Sequence, residues 1–407
     1  MNKRFFISLL LILTFITTLS AQEWQGQGRG ARRTPKFVFL FIGDGMGLNQ
    51  VSMAEAYLST QKGEIANESL SFTKFPVLGT ATTYSANSFI TCSSASGTAL
   101  STGHKTNNGV LGMDPQHNSL KSITYKIHEA GIPVGIVSSV SLDHATPAAF
   151  YASNPSRKNY YDIALQLPQS KFEFFGGGSF LEPTGPNKNQ KDIYQILKEN
   201  DYAIARGLKE YNEKKKNSKI ILLQKEGKET DLPYAIDREK TDLALAHVVA
   251  AAIDHLYGTK GFFIMAEGGK IDWAGHSNDG KTNILEVLDF DAAIQVAYNI
   301  YKRYPNETLI IVTADHETGG MMLGYEKGYT LNLEQLDSQK KSMALDKENR
   351  EEYARLNREA NIGWTTTGHT GIAVPVYSIG AGSRQFSGRM DNTDIPKKIL
   401  QVMGIDF

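Results

Sequence analysis

Acidic, imidazole and hydroxyl side chains in this sequence gather immediately after short apolar runs, and that placement is the first sign of chemistry. "FVFLFI" (37–42) runs into "GDGMG", which supplies Asp44, and "GFFIMA" (261–266) runs into "EGGKIDWAGH", which supplies Glu267, Asp272, Trp273 and His276. "TLIIVT" (308–313) leads to "ADHETGG", with Asp315 and His316, and "PVGIVSSV" (133–140) leads to "SLDHATP", with His144 and Thr146. One aspartate in a glycine turn is ordinarily a turn former, because its carboxylate bonds nearby amides. Several such groups converging on one edge are harder to explain that way. Carboxylates within a few ångströms of each other repel unless protonated or coordinated, so a bound metal is the natural resolution. A mixed set of Asp and His suits zinc, and an all-oxygen set suits magnesium. Asp272 and His276, four residues apart, would face the same way on a helical turn, which fits either a ligand pair or a structural hydrogen bond. His369, in "TTTGHTG" just before the apolar run 374–380, falls near the same edge and could complete a zinc set.

The stretch "ITCSSASGTALSTGHKT" (90–106) places Cys92, the single cysteine, beside Ser93 and Ser94. Small residues of this kind often form linkers. This stretch has no repeat, however, and runs into "TALSTG", which could begin a helix whose free amides favour an anion. The remaining histidines divide by context. His128, His247 and His255 lie in helix-like runs and read as packing or surface groups, whereas His104 and His117 lie in polar loops.

The elements that must carry these residues follow from seven apolar runs: the four above with "FEFF" (172–175), "IILL" (220–223) and "VPVYSIG" (374–380). Continuous rather than alternating apolarity predicts strands buried on both faces. Helix-like stretches with apolar residues every three or four positions lie between them, as in "KTDLALAHVVAAAIDHLYG". The alternation predicts an α/β fold, a three-layer α/β/α sandwich with a large, mostly parallel central sheet. Ligands bind such sheets at the carboxyl ends of the strands, where the clusters fall. The charged stretch 337–360 predicts an exposed helical insertion near 330–362, over the active-site edge of a single catalytic domain spanning 36–407.

At the N-terminus, Lys3 and Arg4 precede an apolar core from Phe5 to Leu19 and small residues at Ser20 and Ala21. This pattern predicts a secretory signal over 1–21, followed by a flexible leader over 22–35. The apolar core is shorter than a bilayer span requires, so the expected product is exported without a membrane span, to the periplasm or the medium. One cysteine allows no intrachain disulfide. With 43 basic against 43 acidic residues, charge gives no case for a nucleic acid partner or an anionic membrane surface.

Taken in order, "FIGDGMG", "ITCSSASGTALSTGHKTNNGVLG", "HATPAAFYASNPSRK", "GFFIMAEGGKIDWAGH", "TLIIVTADHETGG" and "GHTG" resemble the alkaline phosphatase family across nearly the whole chain after the leader. The resemblance implies a phosphomonoester hydrolase acting on small phosphomonoesters through a phosphoserine at Ser93, with Cys92 where the family usually has Asp. It implies two Zn²⁺, one on Asp272, His276 and His369 and one on Asp44, Asp315, His316 and Ser93. It further implies one Mg²⁺ on Asp44, Thr146 and Glu267 and phosphate held by Arg157; many relatives are dimers, which leaves a homodimer open without fixing it. Two positions depart from the pattern of many bacterial members: His144 and Trp273 stand where those have Asp and Lys. Loss of a carboxylate should alter the third site, and a neutral indole cannot pair with phosphate. Three rival readings fit the sequence less well. The sulfatase motif fails at Ser94 and Ser96, a phosphodiesterase usually lacks an arginine placed as Arg157 is, and an inactive phosphate- or metal-binding protein would be expected to lose a ligand or the serine.

Overall fold

The computed structural model describes residues 34–225, 230–258, 260–326 and 328–407. The predicted signal segment and residues 22–33 of the predicted leader lie outside them. Ten strands form one sheet. In chain order they are β1 (Phe37–Gly43), β2 (Val77–Thr82), β3 (Val134–Ser138), β4 (Phe174–Gly177), β5 (Tyr202–Arg206), β6 (Lys219–Leu223), β7 (Phe262–Gly268), β8 (Thr308–Thr313), β9 (Val374–Gly380) and β10 (Gly388–Asp391). Their spatial order is β10-β2-β9-β8-β1-β7-β3-β4-β6-β5. All pairings are parallel except those of β9, which runs antiparallel to both β2 and β8.

Every residue of β1, β3, β4, β7 and β8 is buried, which is why these runs are apolar without alternation. Each large apolar side chain hidden this way contributes roughly 1.5–3 kcal/mol relative to exposure. Helices cover both faces of the sheet. One group includes α1 (Leu48–Gln61), α4 (Leu245–Leu256) and α6 (Gly280–Arg303), and the other includes α2 (Ser93–Thr102), α3 (Ala145–Ala148) and α8 (Asp394–Met403). In α6, Ile284, Val287, Phe290, Ile294 and Ala297 recur at helical spacing and are buried, and Phe290 meets Phe41 of β1 edge-on at 5.9 Å.

Three strands were not expected from the sequence. β2 and β10 occupy one side of the sheet and β5 its far edge; their exposure alternates or they are short and polar, so no continuous apolar run marks them. The run 374–380 is therefore not the last strand. The charged segment 337–360 also differs from the helix predicted for it. Only α7 (Arg350–Glu359) is α-helical, after short 3₁₀ turns at Leu333–Ser338 and Lys347–Asn349. Nor is the segment merely solvated, since Met343, Tyr353 and Leu356 are buried, as are Leu333 and Leu336 just before it. A two-stranded pairing of Met321–Leu323 with Ile362–Trp364 closes its base.

Asp279, at the start of α6, anchors this insertion. Its buried carboxylate accepts hydrogen bonds from Thr282 (N at 3.2 Å, Oγ1 at 2.7 Å), from Gln339 Nε2 at 2.8 Å and from the Met343 amide at 2.7 Å. Asp279→Ala strips four donors of their acceptor, and the expected cost is about 3 kcal/mol or more, read as a lower denaturant midpoint. A midpoint unchanged from wild type would show that the insertion is held elsewhere.

Candidate metal centre and nucleophile

The clusters meet because nine strands point one way and β9 points the other. Asp44 follows β1, Glu267 is the penultimate residue of β7, and Asp315 and His316 follow β8, all at the carboxyl edge. His369 precedes β9, and only the reversed direction of that strand brings the residue to this edge. Asp272 and His276 lie on α5 (Lys270–His276), which starts directly after β7. Gly45 makes the convergence of β1 and α5 sterically feasible: its φ is +72°, and a Cβ there would sit 2.8 Å from the Asp272 backbone. The Gly45 amide donates to Asp315 Oδ1 at 3.1 Å, tying the two loops together.

Two groups of donors result. In the first, His276 Nε2 lies 3.3 Å from Asp272 Oδ2 and 3.2 Å from His369 Nε2, which lies 3.5 Å from Asp272 Oδ1. In the second, His316 Nε2 lies 3.4 Å from Asp44 Oδ1, 3.2 Å from Asp315 Oδ2 and 3.3 Å from Ser93 Oγ. The His316 and His369 rings stack at 3.6 Å, so the groups are contiguous, and Asp272, His316 and His369 also present atoms within 4.8 Å of one another. A third group was only partly anticipated. His144 offers a ring nitrogen within the same 4.8 Å limit of Asp44 and Glu267, which makes it a candidate ligand and more than a neighbour. Thr146, two residues on, adjoins Glu267.

Asp44 Oδ1 and Oδ2, Asp315 Oδ2 and Glu267 Oε1 are buried and have no hydrogen-bond partner. Leaving buried carboxylate oxygens so costs several kcal/mol per charge unless a cation or proton compensates. Burial and the neighbouring carboxylates push Asp315 up to about 8 and raise Asp44 well above the ordinary carboxylate range, and burial lifts Glu267 to about 7. Asp272 behaves oppositely. Burial opposes its ionisation, yet the hydrogen bond to His276 and the surrounding imidazoles hold it below the usual range. The same bond raises His276 to about 9, whereas burial lowers His316 and His369 and takes His144 down to about 3. The neutral imidazoles of His144, His316 and His369 among buried carboxylates with vacant lone pairs suit a divalent metal, and His276 joins them on losing its proton.

Ser93 is the first residue of α2, and Cys92 precedes it as N-cap, so the small-residue stretch is a helix and not a linker. The position of Ser93 is fixed through Ser96, whose Oγ donates to the Asp315 carbonyl at 2.7 Å. The Cys92 thiol sits 3.2 Å from Ser94 Oγ and accepts from the Gly109 amide at 3.1 Å. Burial pushes this thiol up, but those hydrogen bonds and the Arg157 charge bring it below its ordinary value. The Arg157 amide donates to the Gly109 carbonyl at 2.8 Å, and Nη2 lies 3.3 Å from His144 Nε2. Trp273 packs edge-on against His144 at 5.8 Å.

Sequence reasoning missed the groups that orient the ligands. Thr318 Oγ1 donates to Asp272 Oδ1 and lies 3.2 Å from His316 Nδ1. The carbonyls of Thr91 and Thr367 lie 2.8 Å from His369 Nδ1 and 2.5 Å from His276 Nδ1. Such contacts fix each ring so that Nε2 faces the cluster. Thr318, two residues after His316, was visible in "ADHETGG"; the carbonyls carried no signal. The undecided His104 stacks on Phe407 at 5.7 Å, and His255 packs beside Phe174.

The alkaline phosphatase family profile matches residues 35–405. Alkaline phosphatase 3 of Bacillus subtilis is 31% identical, over 94% of this chain and 92% of its own. A His-to-Asp mutant of the alkaline phosphatase of the Antarctic bacterium TAB5, with Mg bound in its M3 site, is 32% identical over 92% of this chain and 99% of its own, with a TM-score of 0.75. Thermus thermophilus alkaline phosphatase superposes with a TM-score of 0.81 at 26% identity, over 94% of this chain and 96% of its own.

Proposed function

Because the chain belongs to the alkaline phosphatase family, and is accordingly a phosphomonoester hydrolase, we propose that it is an exported zinc enzyme working through a phosphoserine at Ser93. The observation that carries this reading is the placing of Ser93 Oγ 3.3 Å from His316 Nε2, beside carboxylate oxygens with no other partner. Asp272, His276 and His369 would hold one Zn²⁺, and Asp44, Asp315, His316 and Ser93 a second. Asp44, Thr146 and Glu267 would hold Mg²⁺, with His144 adjoining. The magnesium in the TAB5 mutant supports a divalent ion at this third position. Metals so bound supply Lewis acidity, lowering the pKa of the serine hydroxyl and of water and neutralising charge on phosphate.

The chain's own residues do the rest. Arg157 presents two parallel donors to two phosphate oxygens. Ser93 Oγ loses its proton and attacks phosphorus in line; the bond from phosphorus to the substrate's oxygen breaks, and the alcohol departs with a proton. Water then cleaves the phosphoserine and restores the hydroxyl, releasing inorganic phosphate. The set reads phosphate rather than its leaving group, which supports broad specificity at alkaline pH, where the serine and water ionise most readily. Lys3, Arg4 and the apolar run after them support a periplasmic or secreted destination. Among the described residues, no helix is long and apolar enough to cross a membrane. The homodimer remains part of this proposal and is checked by sedimentation.

The test compares 4-nitrophenyl phosphate, its diester and its sulfate, before and after chelation and return of zinc. Phosphate turnover should dominate, vanish on chelation and return with zinc, whereas faster sulfate turnover would overturn the reading. Arg157→Ala should lower kcat/KM for the monoester by about a hundredfold while scarcely touching the diester, which offers one anionic oxygen fewer. Equal losses on both substrates would remove Arg157 from the role of phosphate clamp.

A further inference from the structure

Beside the metal cluster lies a cavity of about 660 Å³, within the size range of small-molecule sites. His276 and Thr367 link the two: the His276 ring is a shared wall, with Nε2 toward Asp272 and His369 and Nδ1 held by the Thr367 carbonyl. The apolar part of its wall is formed by Met322, Met343, Ile362 and Trp364. Arg350 and Arg358 stand against a single lining carboxylate, Glu351, so the charge of these residues is net positive. The walls are tied down from two sides. Asn357 Nδ2 donates to the Asn278 carbonyl at 2.8 Å, joining α7 to the loop after His276, and Arg350 Nε donates to the Met343 carbonyl at 3.1 Å. Asp279 fixes the Met343 amide from below.

We propose that this cavity is the leaving-group subsite, and that it favours phosphomonoesters whose organic part is an apolar or aromatic body ending in a second anionic group. The inference rests on the phosphomonoesterase reading above and adds a preference to it. A phosphate gripped at Ser93 and Arg157 has its ester oxygen free to point away from the serine, and the cavity adjoins that site by sharing His276 as a wall. Apolar walls desolvate the body of such a substrate, and the two guanidiniums complement its far charge.

The experiment uses the metal-loaded enzyme and two matched series, 4-(ω-carboxyalkyl)phenyl phosphates of increasing chain length and the corresponding 4-alkylphenyl phosphates. The quantity read is the ratio of kcat/KM between matched members, which cancels leaving-group reactivity. In wild type the ratio should exceed one and peak at the spacer length that reaches the arginines. Arg350→Ala with Arg358→Ala should cut the peak roughly fivefold, the scale of two partly exposed ion pairs. Arg350→Lys with Arg358→Lys should retain most of it, and Arg350→Glu with Arg358→Glu should drive it lower still. A ratio that is flat with chain length, or the same in all four proteins, would overturn the subsite. Methyl phosphate is run alongside: its hydrolysis without any ratio effect sinks the subsite alone, and failure to hydrolyse any phosphate sinks the hydrolase reading beneath it.

Discussion

Ser93→Ala is expected to lower kcat/KM for 4-nitrophenyl phosphate by roughly a thousandfold or more, because it removes the only atom proposed to attack phosphorus. The residual rate would come from water acting within an otherwise intact site, so the variant should still bind zinc and inorganic phosphate. Loss of binding together with turnover would instead mark Ser93 as a structural ligand. Cys92 provides the control. Its thiol bonds to Ser94 and Gly109 and lies near Arg157, so its hydrogen bonds run to residues other than the proposed metal ligands. Cys92→Ser should therefore keep substantial activity. A dead Cys92 variant with an active Ser93 variant would reverse the assignment.

The second large effect concerns metal removal and pH. Folding raises the pKa of Asp44 above its ordinary 3.8, of Asp315 from 3.8 to about 8, of Glu267 from 4.5 to about 7, and of His276 from 6.5 to about 9. A group whose pKa is raised by folding stabilises the protein fully below its unfolded value, and that stability is lost as pH rises through the folded value. The lowered groups, Asp272, His144, His316 and His369, act below about pH 6.5, on the acid side of this window. Between pH 6.5 and 9 the chelated protein should thus weaken steadily, its melting temperature falling on the order of 5–10 °C further behind the zinc-loaded protein. Zinc compensates the same carboxylates, so the loaded protein should vary little across the range. Parallel curves for the two forms would mean that these carboxylates do not hold the metal.

Much of this architecture was legible in the sequence wherever burial is complete. β1, β7 and β8 read as strands because both faces are covered, and the chemistry-bearing residues follow them directly. β2, with its alternating exposure, and the short β5 and β10 at the borders lack that signature. His369 was placed near the edge by its nearness to a strand, but its reach depends on the reversed direction of β9, which no periodicity reveals. His144 was recognised as a departure from the family pattern. Its membership of the Asp44 and Glu267 group depends on how the loop after β3 folds back over β7. The segment 337–360 misled because its charges are evident in the sequence, while the anchor that orders it, Asp279, lies far upstream.

The most direct measurement of the central claim is acid quenching of the zinc-loaded enzyme during turnover of a ³²P-labelled phosphomonoester, followed by peptide mapping. The account predicts acid-stable label on the peptide containing Ser93 and, by fragmentation, on that serine alone. Label on any other residue of the segment, or rapid turnover with no covalent label at any quench time, would contradict it.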